Sequence, residues 1–93
     1  MNMSVRAVVF HGRVQGVGFR WTTQTVAERF PVRGWVRNEP DGSVRCEVTG
    51  TASEIEAFFD AVEAAMPGHV DQRTDVQADS GGLPSSGFEI RRS

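Results

Sequence analysis

The sequence contains no lysine; all ten basic residues are arginine. It has one cysteine, Cys46, so no internal disulfide can form, which is what a reducing compartment favours. No apolar run is long enough to span a bilayer and no segment has the layout of a secretory signal, so a cytoplasmic location without membrane attachment is the expectation. A formal net charge of −2 argues against a molecule drawn to nucleic acid by its overall field. His11 and His69 stand alone, without the spacing of a metal-ligand pair and without a Cys/His/carboxylate cluster, so neither a metal nor a cofactor is expected.

What remains suffices for one domain spanning residues 1–93, with monomer as the default state. Phe10, Phe19, Trp21, Phe30, Trp35, Phe58, Phe59 and Phe88 are expected to supply much of the core bulk, with Cys46 as a small apolar filler. Charge is unevenly placed. Arg6, Arg13, Arg20, Arg29, Arg33, Arg37 and Arg45 lie in the first half, and acidic residues gather between Glu54 and Asp79. The planar fork of arginine suits an oxyanion such as phosphate better than a lysine ammonium does.

Alternation predicts a first strand over 4–11, apolar on both faces and therefore central. Phe19, Val26, Ala27 and Phe30 mark one face of a helix that Pro31 is expected to end. "RGWVRN" and "SVRCEVTG" read as two strands joined by the turn "EPDG", the second of them half-buried with Ser43, Arg45, Glu47 and Thr49 facing water. Thr51–Glu54 and Ser53–Glu56 both have the spacing of a capping box, ahead of an Ile55, Phe58, Phe59, Val62, Met66 stripe that Pro67-Gly68 stops. "VDQRTDVQA" suits a charged edge strand, "DSGGLPSSG" a loop, and "FEIRR" a last short strand. The order β-α-β-β-α-β plus a C-terminal strand predicts an α+β ferredoxin-like two-layer sandwich, both helices on one face. In that topology the strand before Arg20 and the strand ending at Asn38 run the same way, so both residues belong to one end of the sheet.

The first strand runs into "GRVQGVGFR", residues 12–20, before the helix begins. Glycines let backbone N–H groups converge on an anion, the helix N-terminus adds its positive end, and an arginine fork can grip two oxygens. The Lys-Ser/Thr pair of a nucleotide P-loop is absent, and the spacing does not match the dinucleotide fingerprint. The bland alternatives are a tight connection, a Gln15 that only shapes the loop, and an Asn38 that only forms a turn. Trp21 and Trp35 are read as packing residues, and Arg13 and Arg37 as solvated.

"GRVQGVGFR" together with "GWVRNEPDGSVRCEVTG" resembles the two signature stretches of the acylphosphatase family, G-x-V-Q-G-V-x-F-R at 12–20 and G-W-V-R-N-x-x-x-G-x-V-x-x-x-x-x-G at 34–50. The likeness is close in the first half and loose in the second, where "MPGHVDQRTDV" stands in place of the family's Gly-Pro-Pro-like segment. The resemblance implies hydrolysis of small acyl phosphates to a carboxylate and inorganic phosphate. It implies that backbone amides of Gln15, Gly16, Val17, Gly18 and Phe19, with the Arg20 side chain, hold the phosphoryl group. It further implies that the Asn38 side-chain amide positions the attacking water.

The remaining chemistry follows physically. A carboxylate leaving group, whose conjugate acid has a pKa of about 4, departs without a general acid. The turn offers no nucleophile, which fits direct attack by water. Glu39 and Asp41 are the carboxylates beside Asn38 and read as solvated turn residues; a phosphoryl oxygen of the substrate can take the water's proton instead. A cradle that holds only phosphate is expected to tolerate many acyl groups. Two other readings share the pattern: a non-catalytic module binding phosphate or carbamoyl phosphate, like the acylphosphatase-like domain of carbamoyl-transferring maturation proteins, and an RNA-binding module. A free-standing chain of this length would argue against the first, and "SVRCEVT" lacks the aromatic run that RNA recognition needs.

Overall fold

A computed structural model describes residues 2–79 and 82–92. Strand β1 (Met3–Gly12) leads through the glycine turn to helix α1 (Phe19–Ala27). Strands β2 (Arg33–Asn38) and β3 (Val44–Thr51), helix α2 (Ala52–Ala65), and strands β4 (Val70–Val76) and β5 (Phe88–Arg91) follow. The five strands lie in the order β4-β1-β3-β2-β5. β3 is antiparallel to β1 and to β2, so β1 and β2 run the same way on either side of it, and β5 is parallel to β2. This is the ferredoxin-like sandwich expected from the element order, with a fifth strand closing one edge.

Both helices bury their apolar faces on one side of the sheet. Ile55, Phe58, Phe59 and Val62 of α2, and Phe19, Val26 and Ala27 of α1, join Val8, Phe10, Val36, Val44, Cys46 and Val48 in one buried cluster. Ring contacts run through it, with centroids 5.1 Å apart for Phe10–Phe19, 6.1 Å for Phe10–Phe59 and 5.5 Å for Phe58–Phe59. Truncating one of these rings to alanine costs about 3–5 kcal/mol in a typical core. Thr51 caps α2, its hydroxyl accepting from the Glu54 N–H at 3.3 Å. The second candidate box is not a cap; Glu56 instead takes the guanidinium of Arg6 at 2.6 Å and that of Arg73 at 2.6 Å.

Three expectations change. Helix α1 ends at Ala27 rather than running to Phe30. The N–H groups of Glu28, Arg29 and Phe30 reach back to Thr25, Val26 and Ala27, a tightened i→i−3 turn. Proline crowds the residue before it out of the helical region, so the coil tightens ahead of Pro31. Phe30 still packs on Phe58, at 6.0 Å.

Strand β3 is buried on both faces rather than one. Glu47 and Thr49 are nearly inaccessible, as is Ser43 just before the strand, and residues following β4 reach Arg45 and Glu47 on the helix-free face. Arg45 donates to the Gln77 carbonyl at 2.6 Å, the Asp79 N–H donates to Glu47 at 3.0 Å, and Arg33 donates to the Pro84 carbonyl. Trp35 lies buried on this same face, its ring flanked by the guanidinium of Arg37 at 4.9 Å and of Arg91 at 5.1 Å from the centroid. Arg37 is therefore a packing partner, also paired with Glu39 at 2.9 Å, and not a solvated side chain.

The third change is Trp21. It was expected in the core and instead is 66% exposed. Two positions along a helix from Phe19, it is turned about 200° away from the buried face.

Candidate active site

β1 ends in a bulge at His11/Gly12, where the register with β4 shifts. Gly12 has φ +132°, and a side chain there would collide with the His69 carbonyl oxygen and the Asp71 nitrogen. The next residue is held at both backbone ends by one histidine. The Arg13 N–H donates to the His69 carbonyl at 2.9 Å, and His69 Nδ1, 2.8 Å from the Arg13 carbonyl, is the donor to it. The divergent segment after α2 thus anchors the base of the glycine turn.

Val14 is buried and fixes the next step of the turn. Gln15 turns its side-chain amide away from the turn to the β2–β3 hairpin, Nε2 donating to the carbonyls of Glu39 at 2.8 Å and Ser43 at 2.9 Å. Gly18, at φ +79°, is the N-cap of α1, with no side-chain cap and no acidic residue in the first turn. Among the described residues no hydrogen bond is donated by the backbone N–H groups from Gly16 to Trp21. A row of unused donors at a helix start is receptive to an anion.

These groups line a cavity of about 220 Å³. Gly16, Gly18, Phe19, Arg20 and Asn38 all border it, so residues from the turn, from α1 and from the end of β2 meet there. Gln15 and Val17 are not among the lining residues. Asn38 is the last residue of β2, opposite Val44 of β3. Among the described residues Arg6, Arg33, Arg37, Arg45, Arg73 and Arg91 are engaged by acceptors within the chain. Among the described residues Arg20 has no such partner, which leaves its fork for something in the cavity.

The turn carboxylates are occupied elsewhere. Asp41 accepts from the hydroxyl and the N–H of Ser43, which hold its carboxyl below the usual range, and Glu39 is paired with Arg37. Neither borders the cavity. Cys46 is fully buried and its thiol is pushed up by desolvation, so it is no nucleophile. Among the described residues no group of three His, Cys, Asp or Glu could hold a metal ion, and no helix is long and apolar enough to cross a membrane.

Four lining residues were not among the candidate site residues: Val14, within the motif itself, and Trp21, Ile90 and Arg92. For Ile90 and Arg92 the signal was topological. Because β5 is parallel to β2, the C-terminal end of β5 arrives at the same sheet end as Asn38. For Trp21 the signal was its place off the apolar stripe of α1.

Fold and site define a ferredoxin-like sandwich with an anion-receptive turn between its first strand and first helix. A family model described as acylphosphatase matches residues 6–90. An acylphosphatase of Salinibacter ruber is 43% identical over 81 residues, covering 87% of this chain and 85% of that protein. One of Latilactobacillus sakei is 51% identical over 65 residues, 70% of each. The crystal structure of acylphosphatase from Bacillus subtilis superposes with a TM-score of 0.71 at 27% identity, covering 97% of this chain and 99% of that one. Full-length HypF in a phosphate- and nucleotide-bound form gives 0.76 at 29% identity, but the match spans 12% of that chain. The chain belongs to the acylphosphatase family, and it is a hydrolase of acyl phosphates.

Proposed function

We propose that the turn over residues 15–20 and Arg20 hold the phosphoryl group while Asn38 positions the water that attacks it. The observation that carries this reading is the meeting of Arg20 and Asn38 in one cavity, where among the described residues Arg20 has no acceptor and the adjoining backbone N–H groups donate to nothing. Gly16, Gly18 and Phe19 contribute from the cavity wall; Gln15 and Val17 contribute through backbone alone, since the Gln15 side chain serves the hairpin.

The water oxygen bonds to phosphorus as the bond from phosphorus to the acyl oxygen breaks. The acyl group leaves as a carboxylate, which needs no proton at neutral pH. The water's proton passes to a phosphoryl oxygen, and the second product is inorganic phosphate. Catalysis is then positioning plus stabilisation of negative charge spread over the phosphoryl oxygens. No step calls on a metal or cofactor. The whole chain acts as one domain, a cytoplasmic monomer with no nucleic-acid or membrane partner. The net charge of −2 supports the absence of a nucleic-acid partner.

Hydrolysis of benzoyl phosphate in ¹⁸O-water tests the bond assignment. Label in phosphate is the expected result; label in benzoate would mean attack at the carbonyl carbon and would overturn the mechanism.

A further inference from the structure

Trp21 presents a large ring to water at the rim of the cavity that holds Arg20 and Asn38. Among the described residues it stacks on no other aromatic ring and no guanidinium lies over it. Trp35, by contrast, is buried between two arginines. Phe19, the other aromatic lining the cavity, is buried against Phe10 and offers no free face. Trp21 follows Arg20 directly in the first turn of α1, so a group attached to a phosphoryl bound at Arg20 passes within its reach. In-line displacement puts the leaving acyl oxygen opposite the attacking water. Asn38 enters from β2 and Trp21 from α1, so water and acyl group can take separate walls of one cavity.

We infer that Trp21 is the platform on which the acyl part of the substrate lies, giving the enzyme a preference for acyl phosphates with an aromatic or otherwise planar acyl group. This rests on the acyl phosphate hydrolysis described above and names the side of the substrate that the cradle leaves unread. The preference is modest and sits within the broad tolerance expected of an open site, because one stacked ring discriminates by a factor of roughly 3–10. Stacking acts on the bound substrate and the transition state alike, so it appears in KM more than in kcat.

The test compares benzoyl phosphate with acetyl phosphate for wild type, Trp21→Ala and Trp21→Phe. Binding of two non-hydrolysable analogues, phenacylphosphonate and acetonylphosphonate, is measured alongside by calorimetry. Trp21→Ala should lower the benzoyl-to-acetyl ratio of kcat/KM roughly 3–10-fold, through KM, with the same change in the ratio of phosphonate affinities. Trp21→Phe should restore most of it. Equal losses on both substrates, or an unchanged ratio, would overturn the inference, since a purely structural tryptophan cannot tell acyl groups apart. If wild type hydrolyses neither substrate yet binds phenacylphosphonate more tightly in a Trp21-dependent way, the hydrolytic reading fails and the platform stands. If it hydrolyses both with a Trp21-independent ratio, the platform alone fails.

Discussion

The side-chain amide of Gln15 is shared by two carbonyls of the β2–β3 hairpin, 2.8 Å from that of Glu39 and 2.9 Å from that of Ser43. Both partners are acceptors, so the NH₂ group must face them. One side chain thus ties the glycine turn to the hairpin that carries Asn38. On the proposed mechanism Gln15 is a positioning residue. Gln15→Glu keeps the size and puts an acceptor where a donor is required, so it should lower kcat about tenfold or more while phosphate affinity changes less. It should also lose about 1–3 kcal/mol of stability. A Gln15→Glu enzyme with the wild-type kcat would remove this role.

Gly12 and Gly18 should respond differently to alanine. At Gly12 a Cβ meets backbone at a left-handed φ of +132°, whereas at Gly18, φ +79°, nothing lies within 4 Å. Gly18→Ala should cost about 1–2 kcal/mol from backbone conformation alone. Gly12→Ala should cost about 3 kcal/mol or more, because β4 and the turn must move apart. Urea unfolding of the two variants gives the comparison, and equal costs would contradict it.

Stability should weaken in acid through Glu56. Arg6 first, and Arg73 with it, hold the Glu56 carboxyl below its ordinary value in the folded protein. A depressed folded pKa contributes stability above the unfolded value, about 4.3, and that contribution is lost as pH falls through the folded pKa. Glu56→Gln should therefore lower Tm by about 2–5 °C at pH 7, and the difference should shrink towards zero as the Glu56 carboxyl becomes protonated in acid. A Tm difference that stays constant across that range would show that the ion pairs contribute nothing.

A mechanism without a metal step predicts that exhaustive treatment with a chelator leaves kcat/KM for benzoyl phosphate unchanged within about twofold. Loss of activity restored by one divalent cation would contradict it.

The element order, the edge position of β4 and the apolar stripe of α2 were legible because each follows from local spacing. The alternation of Val44, Cys46 and Val48 gave one face of β3 correctly. The other face was not legible, since Glu47 and Thr49 are polar, and Glu47 is met by the Asp79 N–H only once the segment after β4 reaches the sheet. That segment has no periodicity to read. Gln15, Arg20 and Asn38 were singled out by the motif, and the strand directions placed Arg20 and Asn38 at one end of the sheet, where they border one cavity. His69 was not recognised as the anchor of the turn, because a lone histidine after a Pro-Gly carries no signal until it meets the Arg13 backbone. Trp21 was assigned to the core on its size, although its place on the helix pointed outward.

The central claim is a division of labour between Arg20 and Asn38. It is tested most directly by measuring benzoyl phosphate turnover and the competitive inhibition constant of inorganic phosphate for wild type, Asn38→Ala and Arg20→Gln. Asn38→Ala should lose about 10²–10³ in kcat and still bind phosphate, whereas Arg20→Gln should lose at least as much turnover and phosphate affinity as well. An Asn38→Ala enzyme that turns over normally, or an Arg20→Gln enzyme that binds phosphate as wild type does, would contradict the account.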